Sequence, residues 1–406
     1  MTEIRARPTV LVLASTYPRW RNDVEPGFVH ELCKRLVGRF HVIALVPDAD
    51  GADESGAMDG VEVVRYRYAP RRLQTLVYGG GIAANLRRAK WKYLLLPAFV
   101  GMQWRAMRKL LRARRVDAIH AHWLLPQGWV ARHAGGMPYL VTSHGGDLFG
   151  LRGRLMEALK RKVAASSAAM TVVSSAMAAE ARRIGLRPPR LEVLPMGVDL
   201  RARFVPDPAI AREADALLAV GRLVPKKGLN FLLDAMPAIV RARPGVRLDI
   251  AGFGPEEAAL RAQAERLGIA RHVAFLGSMP QDRLPGLYAR ASLLVAPFVR
   301  DAAGDQEGLP VVLMEAIGCG CPVVVGDVAG VDDLLGDMKA QVCVDPRDAR
   351  ALAGAILAAL GDPAALARRA GAIRAIAAER VDWEHVAQGY GDLLDDCIRM
   401  RRKDVP

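Results

Sequence analysis

ALLAVGRLVPKKGLNFLLDAMPAIVRA, residues 216–242, reads as a short apolar strand, a loop and a helix. Arg222 stands directly after the strand, and Lys227 stands five residues on, before Gly228 and the helix. The same alternation continues in both directions. In the first half, strands are expected at 9–15, 41–47, 61–66, 116–122, 138–144, 170–175 and 191–195. In the second they fall at 216–222, 246–254, 272–277, 292–297, 322–327 and 341–345. Short, fully apolar strands separated by helices such as PGFVHELCKRLV indicate parallel sheets covered on both faces. Two such runs predict an α/β protein of two Rossmann-like domains, 1–200 and 201–380, joined near PMGVDLRARFVPDP (195–208). No short-period repeat or low-complexity tail interrupts them.

The chain of 406 residues is too long for one ordinary core, which agrees with two domains. Its N-terminus, MTEIRARPTVLVLAS, does not read as a secretory signal. The longest apolar run, YLLLPAFVGM (93–102), is about half of the ~20 residues a spanning helix needs. Five scattered cysteines show no metal-ligand spacing, so a reduced cytosolic compartment and no metal are expected.

The net charge of +14 is unevenly placed. Residues 1–200 hold 31 Lys and Arg against 16 Asp and Glu, whereas residues 201–406 hold 26 against 27. Residues 65–115 contain 14 basic residues and no acid, interleaved with Tyr66, Tyr68, Tyr78, Trp91, Tyr93, Phe99 and Trp104. Nucleic acid, an anionic membrane and an acidic small substrate all attract such a segment. Aromatics and leucines among basic residues suit a membrane interface. No helix-turn-helix, zinc-finger or RNA-recognition signature supports nucleic acid.

In open α/β sheets ligands bind at the carboxyl ends of strands, and a cleft between two such domains is the expected active site. Gly27, His120, His122, His144 with Asp147, Gly221 with Arg222, Gly252 with Gly254, and Glu307 all fall at strand ends. Arg222, Lys227 and a helix N-terminus together suit a diphosphate, although two loop cations are also common on surfaces. DQEGLPVVLMEAIGCGCPVVV (305–325) poses a sharper problem, because Glu315 stands alone among apolar residues from Val311 to Ile317. A carboxylate there needs a partner. Pro310 fits the first turn of a helix, and the backbone from Gly308 through Val311 is placed to meet an anion or sugar hydroxyls. Glu307 and Glu315 either grip hydroxyl pairs or serve structure, Glu315 in a buried ion pair with an arginine and Glu307 as helix-end compensation.

The pair GRLVPKKG and EGLPVVLME, with AGFGPEEAALRAQAERLGIARHVAFLG (251–277) and PMGVD (195–199), resembles the retaining glycosyltransferases of GT-B fold known as family 4. The likeness is strongest over roughly 190–330 and collinear but weaker before it. It implies a nucleotide-diphosphate sugar as donor substrate, no other cofactor, no essential metal and retention at the anomeric carbon. It assigns catalytic roles to His144, Glu307, Arg222 and Lys227. Arg222 and Lys227 would neutralise the leaving diphosphate. Glu307 would bind sugar hydroxyls, with Gly308, Leu309, Pro310 and Val311 bringing backbone alongside. Glu315 would take the ribose hydroxyls, and GSMPQDRLPGLY (277–288) would supply base contacts near Arg283 and Leu284.

His144, in VTSHGGDLFG, would face the donor sugar, with Asp147 following it; HAHWLLPQG (120–128) makes His122 and Trp123 acceptor-side candidates. His120 equally suits a core position. Many relatives carry paired glycines after the first strand, whereas STYPRWRNDVEPGFVHEL offers Gly27 alone. The acceptor expected from the basic aromatic region is a lipid-linked glycan at the inner face of the cytoplasmic membrane. Other expectations from the same residues are a soluble acceptor, a nucleotide-sugar epimerase or hydrolase, and a nucleotide-sugar-binding protein without turnover. VDWEHVAQGYGDLLDDCIRMRRK (381–403) reads as an amphipathic helix with a basic end, and the resemblance implies that residues 381–406 cross back to the first domain.

Overall fold

Strands of five or six consecutive apolar residues can be stable only where both faces of a sheet are covered, and that is how this chain uses them. The computed structural model describes residues 7–403 except 22, 24, 26, 54, 303 and 329, with backbone alone for 401–403. The leader expectation over residues 1–6, the loop positions 22, 24 and 26, and the side chains of the basic C-terminal end lie outside the described residues. The chain divides into two units.

Unit 1 comprises residues 1–173, 177–194 and 386–406. Its eight strands are β1 (Thr9–Leu13), β2 (His41–Pro47), β3 (Gly56–Met58), β4 (Val61–Tyr66), β5 (Ala118–His122), β6 (Tyr139–Ser143), β7 (Ala169–Val172) and β8 (Leu191–Val193). They lie in the order β3-β4-β2-β1-β5-β6-β7-β8. All pairs are parallel except β3 with β4. The strand order reverses between β1 and β5, which places the ligand crevice of such a sheet beside the carboxyl end of β5. The Trp383–Lys403 helix packs here from Val386 onward. Tyr390 donates to the Leu194 carbonyl at 3.0 Å, and Arg39 Nε donates to Asp395 at 2.8 Å.

Strand β3 was not expected from the sequence. GAM has no β-branched residue, so propensity is silent there. The signal lies in the following Asp59-Gly60, both at positive φ, 50° and 83°, the pair that closes a two-residue hairpin. That hairpin sets Met58 opposite Val61.

Unit 2 comprises residues 195–385 with 174–176. Its strands β9 (Ala216–Val220), β10 (Arg247–Ala251), β11 (Val273–Gly277), β12 (Leu293–Ala296), β13 (Val323–Gly326) and β14 (Cys343–Val344) are all parallel, in the order β11-β10-β9-β12-β13-β14. Alternate residues feed two cores. Leu218, Leu294, Val323 and Val325 join one with Leu313 and Ile317, while Leu217, Leu248, Ile250 and Val295 join the other with Leu232 and Met236. The order reverses between β9 and β12, so the loop carrying Arg222 and Lys227 leaves the sheet at its ligand-binding end. All five cysteines are free.

Candidate active site

In unit 2 the loop after β9 turns through a 3-10 helix, Pro225–Lys227, and enters the Leu229–Ala242 helix at Gly228. Gly228 has φ 66°, and a Cβ there would lie 1.9 Å from the Pro297 carbonyl oxygen after β12. Only glycine permits that approach. It holds the loop against the β12 end and sets Lys227 Nζ over the Phe298 ring, 4.7 Å from its centre.

The turn points both lysines at one acid. Lys226 Nζ lies 3.4 Å from Glu307 and 3.4 Å from Asp305, and Lys227 Nζ lies 3.5 Å from Glu307. The fields of Lys226, Lys227 and Arg222 outweigh burial and hold the Glu307 carboxyl down at about 2. Burial pushes the Lys227 ammonium down, with Lys226 and Arg222 adding repulsion against the pull of Glu307. Lys226 is pulled up by Glu307 and Asp305 despite its own burial. Two lysines thus share Glu307 and Asp305 at the strand end, and the Arg222 guanidinium adds to the positive field there. Lys226 and Asp305 were not singled out by the sequence reading.

Glu315 lies in the Val311–Gly318 helix and is 2 % exposed. It accepts hydrogen bonds from Gln281 Nε2 at 3.0 Å and from Tyr288 OH at 2.9 Å. Among the described residues no Lys or Arg pairs with it, so the buried arginine partner considered from sequence is absent there. Desolvation pushes its carboxyl up to about 7. Both donors come from the 277–288 segment expected near the nucleotide base. Arg283 is exposed at the N-terminus of the Leu284–Arg290 helix, whereas Leu284 is buried in the core. Pro310 is corrected by one position. It caps the 311–318 helix with an extended backbone, φ −74° and ψ 111°, and has no N–H to offer, so the amides in this run are those of Gly308, Leu309 and Val311.

In unit 1, His120 and His122 lie on β5 and His144 follows β6. His120 and His122 are fully buried, and His144 and Trp123 are half-buried. His122 Nδ1 is 2.9 Å from His144 Nε2, with the rings stacked 9° from parallel. Phe28 and Trp123 wall His144, their ring centres 5.0 and 4.9 Å from its own. Trp123 has φ 74°, an outlier for a bulky residue. Asp147 turns inward, accepting from the Leu124 amide at 2.7 Å and from Ser143 Oγ at 2.8 Å. It therefore ties the loops after β5 and β6 together. Gly27 caps the Phe28–Leu36 helix, and a Cβ there would meet only Pro18 at 3.7 Å, so space does not demand glycine.

The basic aromatic segment divides. Tyr66, Tyr68 and Phe99 are core residues, with both tyrosine rings packed against Phe99. Trp91, Tyr93, Leu94, Met102 and Trp104 are exposed, Leu94 by 80 %. Twelve consecutive residues, Tyr93–Trp104, carry no charge, and Arg105, Lys109, Arg112, Arg114 and Arg115 follow them on the exposed surface. No single helix among the described residues is long and apolar enough to cross a membrane. No group of three or more His, Cys, Asp or Glu among them is placed to hold a metal ion.

Two doubly wound, mainly parallel sheets, one ending in a loop of cations against a half-buried acid, are the architecture of the GT-B class of nucleotide-sugar enzymes. The family descriptions "Glycosyl transferases group 1" and "Glycosyl transferase 4-like domain" match residues 202–375 and 28–197. The chain belongs to this family, the GT-B glycosyltransferases of family 4 type, whose donor substrate is a nucleotide sugar. It is 32 % identical over 398 residues to the GDP-mannose-dependent alpha-(1-6)-phosphatidylinositol monomannoside mannosyltransferase of Mycolicibacterium smegmatis, covering 95 % of this chain and 98 % of that one. It is 30 % identical to a glycogen synthase of Mycobacterium tuberculosis, covering 93 % and 92 %. The fold is similar to that of sucrose-phosphate synthase from Thermosynechococcus elongatus, with TM-score 0.77, 21 % identity, and 97 % and 100 % covered.

Proposed function

We propose that this chain is a retaining, metal-independent glycosyltransferase that moves a hexose from a nucleoside-diphosphate sugar to a hydroxyl of a lipid-linked acceptor, in cell-envelope or exopolysaccharide synthesis. The observation that carries this reading is the Arg222–Lys226–Lys227 cluster gathered on Glu307. Cleavage of the glycosidic bond deposits negative charge on the diphosphate, and fixed cations lower that barrier most. Glu307, kept ionised, accepts from sugar hydroxyls. Glu315 with Gln281 and Tyr288 forms the ribose end. In this reading the Glu307 carboxylate binds hydroxyls and does not attack carbon, so the sugar leaves as an oxocarbenium-like species and the departing phosphate takes the acceptor proton on the same face. An inverted product anomer in an NMR assay would defeat retention. Thermal-shift screening against nucleoside diphosphates identifies the base. A match at 100 times its dissociation constant stabilises by about 2.7 kcal/mol, and GDP is the first candidate because the mannosyltransferase relative is named for GDP-mannose.

The acceptor is not fixed by family membership, since relatives spanning nearly the whole chain include both a lipid mannosyltransferase and a glycogen synthase. The exposed Trp91, Tyr93, Leu94, Met102 and Trp104, in a basic segment that carries no acid of its own, favour the lipid. The enzyme then works peripherally on the inner face of the cytoplasmic membrane. In flotation it should rise with vesicles containing anionic phospholipid, stay down with neutral ones, and lose binding as salt screens the basic residues. Failure to float with either would leave the soluble acceptor as the better reading.

A further inference from the structure

Proton accounting in the histidine cluster gives His122 a role. Burial keeps all three rings neutral, with His120 and His144 down at about 3 and His122 well below its ordinary value. A neutral imidazole has one N–H and one bare nitrogen, so the 2.9 Å contact between His122 Nδ1 and His144 Nε2 holds a single proton. The two tautomers are therefore fixed together. If His144 donated through Nε2, the proton of His122 would have to sit on its own Nε2. That nitrogen is buried and meets no hydrogen-bond partner among the described residues. Orphaned buried N–H groups are rarer than under-satisfied acceptors. With the proton on Nδ1, the buried Nε2 of His122 is only an unshared lone pair, and Nδ1 donates to His144 Nε2. His144 then carries its own proton on Nδ1, the nitrogen left open to a ligand by the described residues.

We propose that His122 is a positioning residue that presents His144 as a neutral Nδ1–H donor. A ring so fixed has no basic nitrogen facing the reactants. It donates to a hydroxyl or phosphate oxygen and does not collect the acceptor proton, which is the division of labour required when the leaving phosphate acts as base. This role rests on the reading that His144 faces the donor sugar. His120 repeats the arrangement without facing a ligand: its Nδ1 is orphaned and its Nε2 lies 2.8 Å from Thr142 Oγ1, so the same accounting puts its proton on Nε2.

The test is two-bond ¹⁵N–¹H NMR of the ¹⁵N-histidine-labelled full chain at pH 7.5 without donor, assigned with His144→Gln and His122→Asn. Protonated Nδ1 and bare Nε2 on His144 are expected; an Nε2–H tautomer or an imidazolium overturns the proposal. His122→Leu should release the tautomer of His144 and lower kcat roughly tenfold, the worth of one hydrogen bond, with the donor KM changing less. His122→Asn places an amide N–H where Nδ1–H stood and should restore the tautomer and most of the lost kcat. Unchanged turnover in His122→Leu overturns the positioning role and leaves the donor site intact. A His144 in the expected tautomer, in a chain that turns over no nucleotide sugar, overturns the glycosyl-transfer reading instead.

Discussion

Replacing Lys227 by alanine should lower kcat by roughly 10²–10³, the cost of removing one preorganised charge-stabilising donor in a site of this kind, about 3–4 kcal/mol. The reason is where its charge stands before and during reaction. In the resting protein the half-buried Lys227 ammonium stands beside Arg222 and Lys226, and among the described residues its ion pair is with Glu307. Its repulsive neighbours make it a poor contributor to native stability and a strong partner for a diphosphate that gains charge as the sugar departs. The loss therefore falls on kcat and on kcat/KM, with a smaller change in donor KM, because the interaction is strongest in the transition state. Arg222→Ala should behave alike, and Arg222→Lys should recover only part of the rate, since lysine brings charge without the planar fork. Lys226 meets Asp305 as well as Glu307, so Lys226→Ala should cost less rate and more stability. Steady-state kinetics with nucleotide release as readout, alongside thermal melts, separates these outcomes. A Lys227→Ala enzyme with unchanged kcat and a raised KM would place the lysine in ground-state binding alone.

What sequence could show of this site follows from the range of the interactions. Arg222 and Lys227 were legible because each lies a few residues from a strand end, and a strand end in an open α/β sheet is where ligands bind. Lys226 was not, because two adjacent lysines normally point apart; only the 3-10 turn at 225–227 and the Gly228–Pro297 approach bring both onto Glu307. The apolar surroundings of Glu315 announced that it needed a partner. Its partners, Gln281 and Tyr288, come from 34 and 27 residues away on another helix and loop, and no local pattern marks them. Tyr288 sits at an apolar position in a core helix, where sequence suggests packing alone. The basic aromatic segment misled in part for the same reason: the rings of Tyr66 and Tyr68 pack on Phe99 inside unit 1, and exposure, which separates them from Trp91 and Trp104, is a tertiary property. The parallel strands were readable because burial on both faces writes itself into every residue of a strand. The short β3 was missed because its register is set by a turn.

Glu315→Gln should raise stability above neutral pH and weaken donor binding, and the pH dependence separates the two. Burial lifts the folded-state carboxyl from an ordinary 4.5 to about 7. The folded protein then holds a proton that the unfolded chain has released over the window between these values, so stability is greatest below about 4.5, falls as pH rises to about 7, and is level above it. The ionised carboxylate costs about 3 kcal/mol at pH 8. A neutral glutamine avoids that cost but matches only one of the Tyr288 and Gln281 donors, giving back about 1 kcal/mol. The variant should therefore exceed the wild type by about 2 kcal/mol at pH 8, with the advantage gone, or slightly reversed, at pH 4.5. Denaturant unfolding at the two pH values reads this directly. A core that keeps so costly a group has a use for its charge. If that use is to accept from ribose hydroxyls, the variant loses a charge-assisted hydrogen bond of about 1.5–3 kcal/mol, or roughly 10–100-fold in affinity for the nucleoside diphosphate. The affinity of the wild type should also fall on acidification through pH 7, as protonation removes the acceptor. Calorimetric titration of both proteins at pH 6 and pH 8 tests the link. Equal affinity of both proteins at both pH values would make Glu315 a structural carboxylate held by Tyr288 and Gln281, and would move the ribose contacts elsewhere.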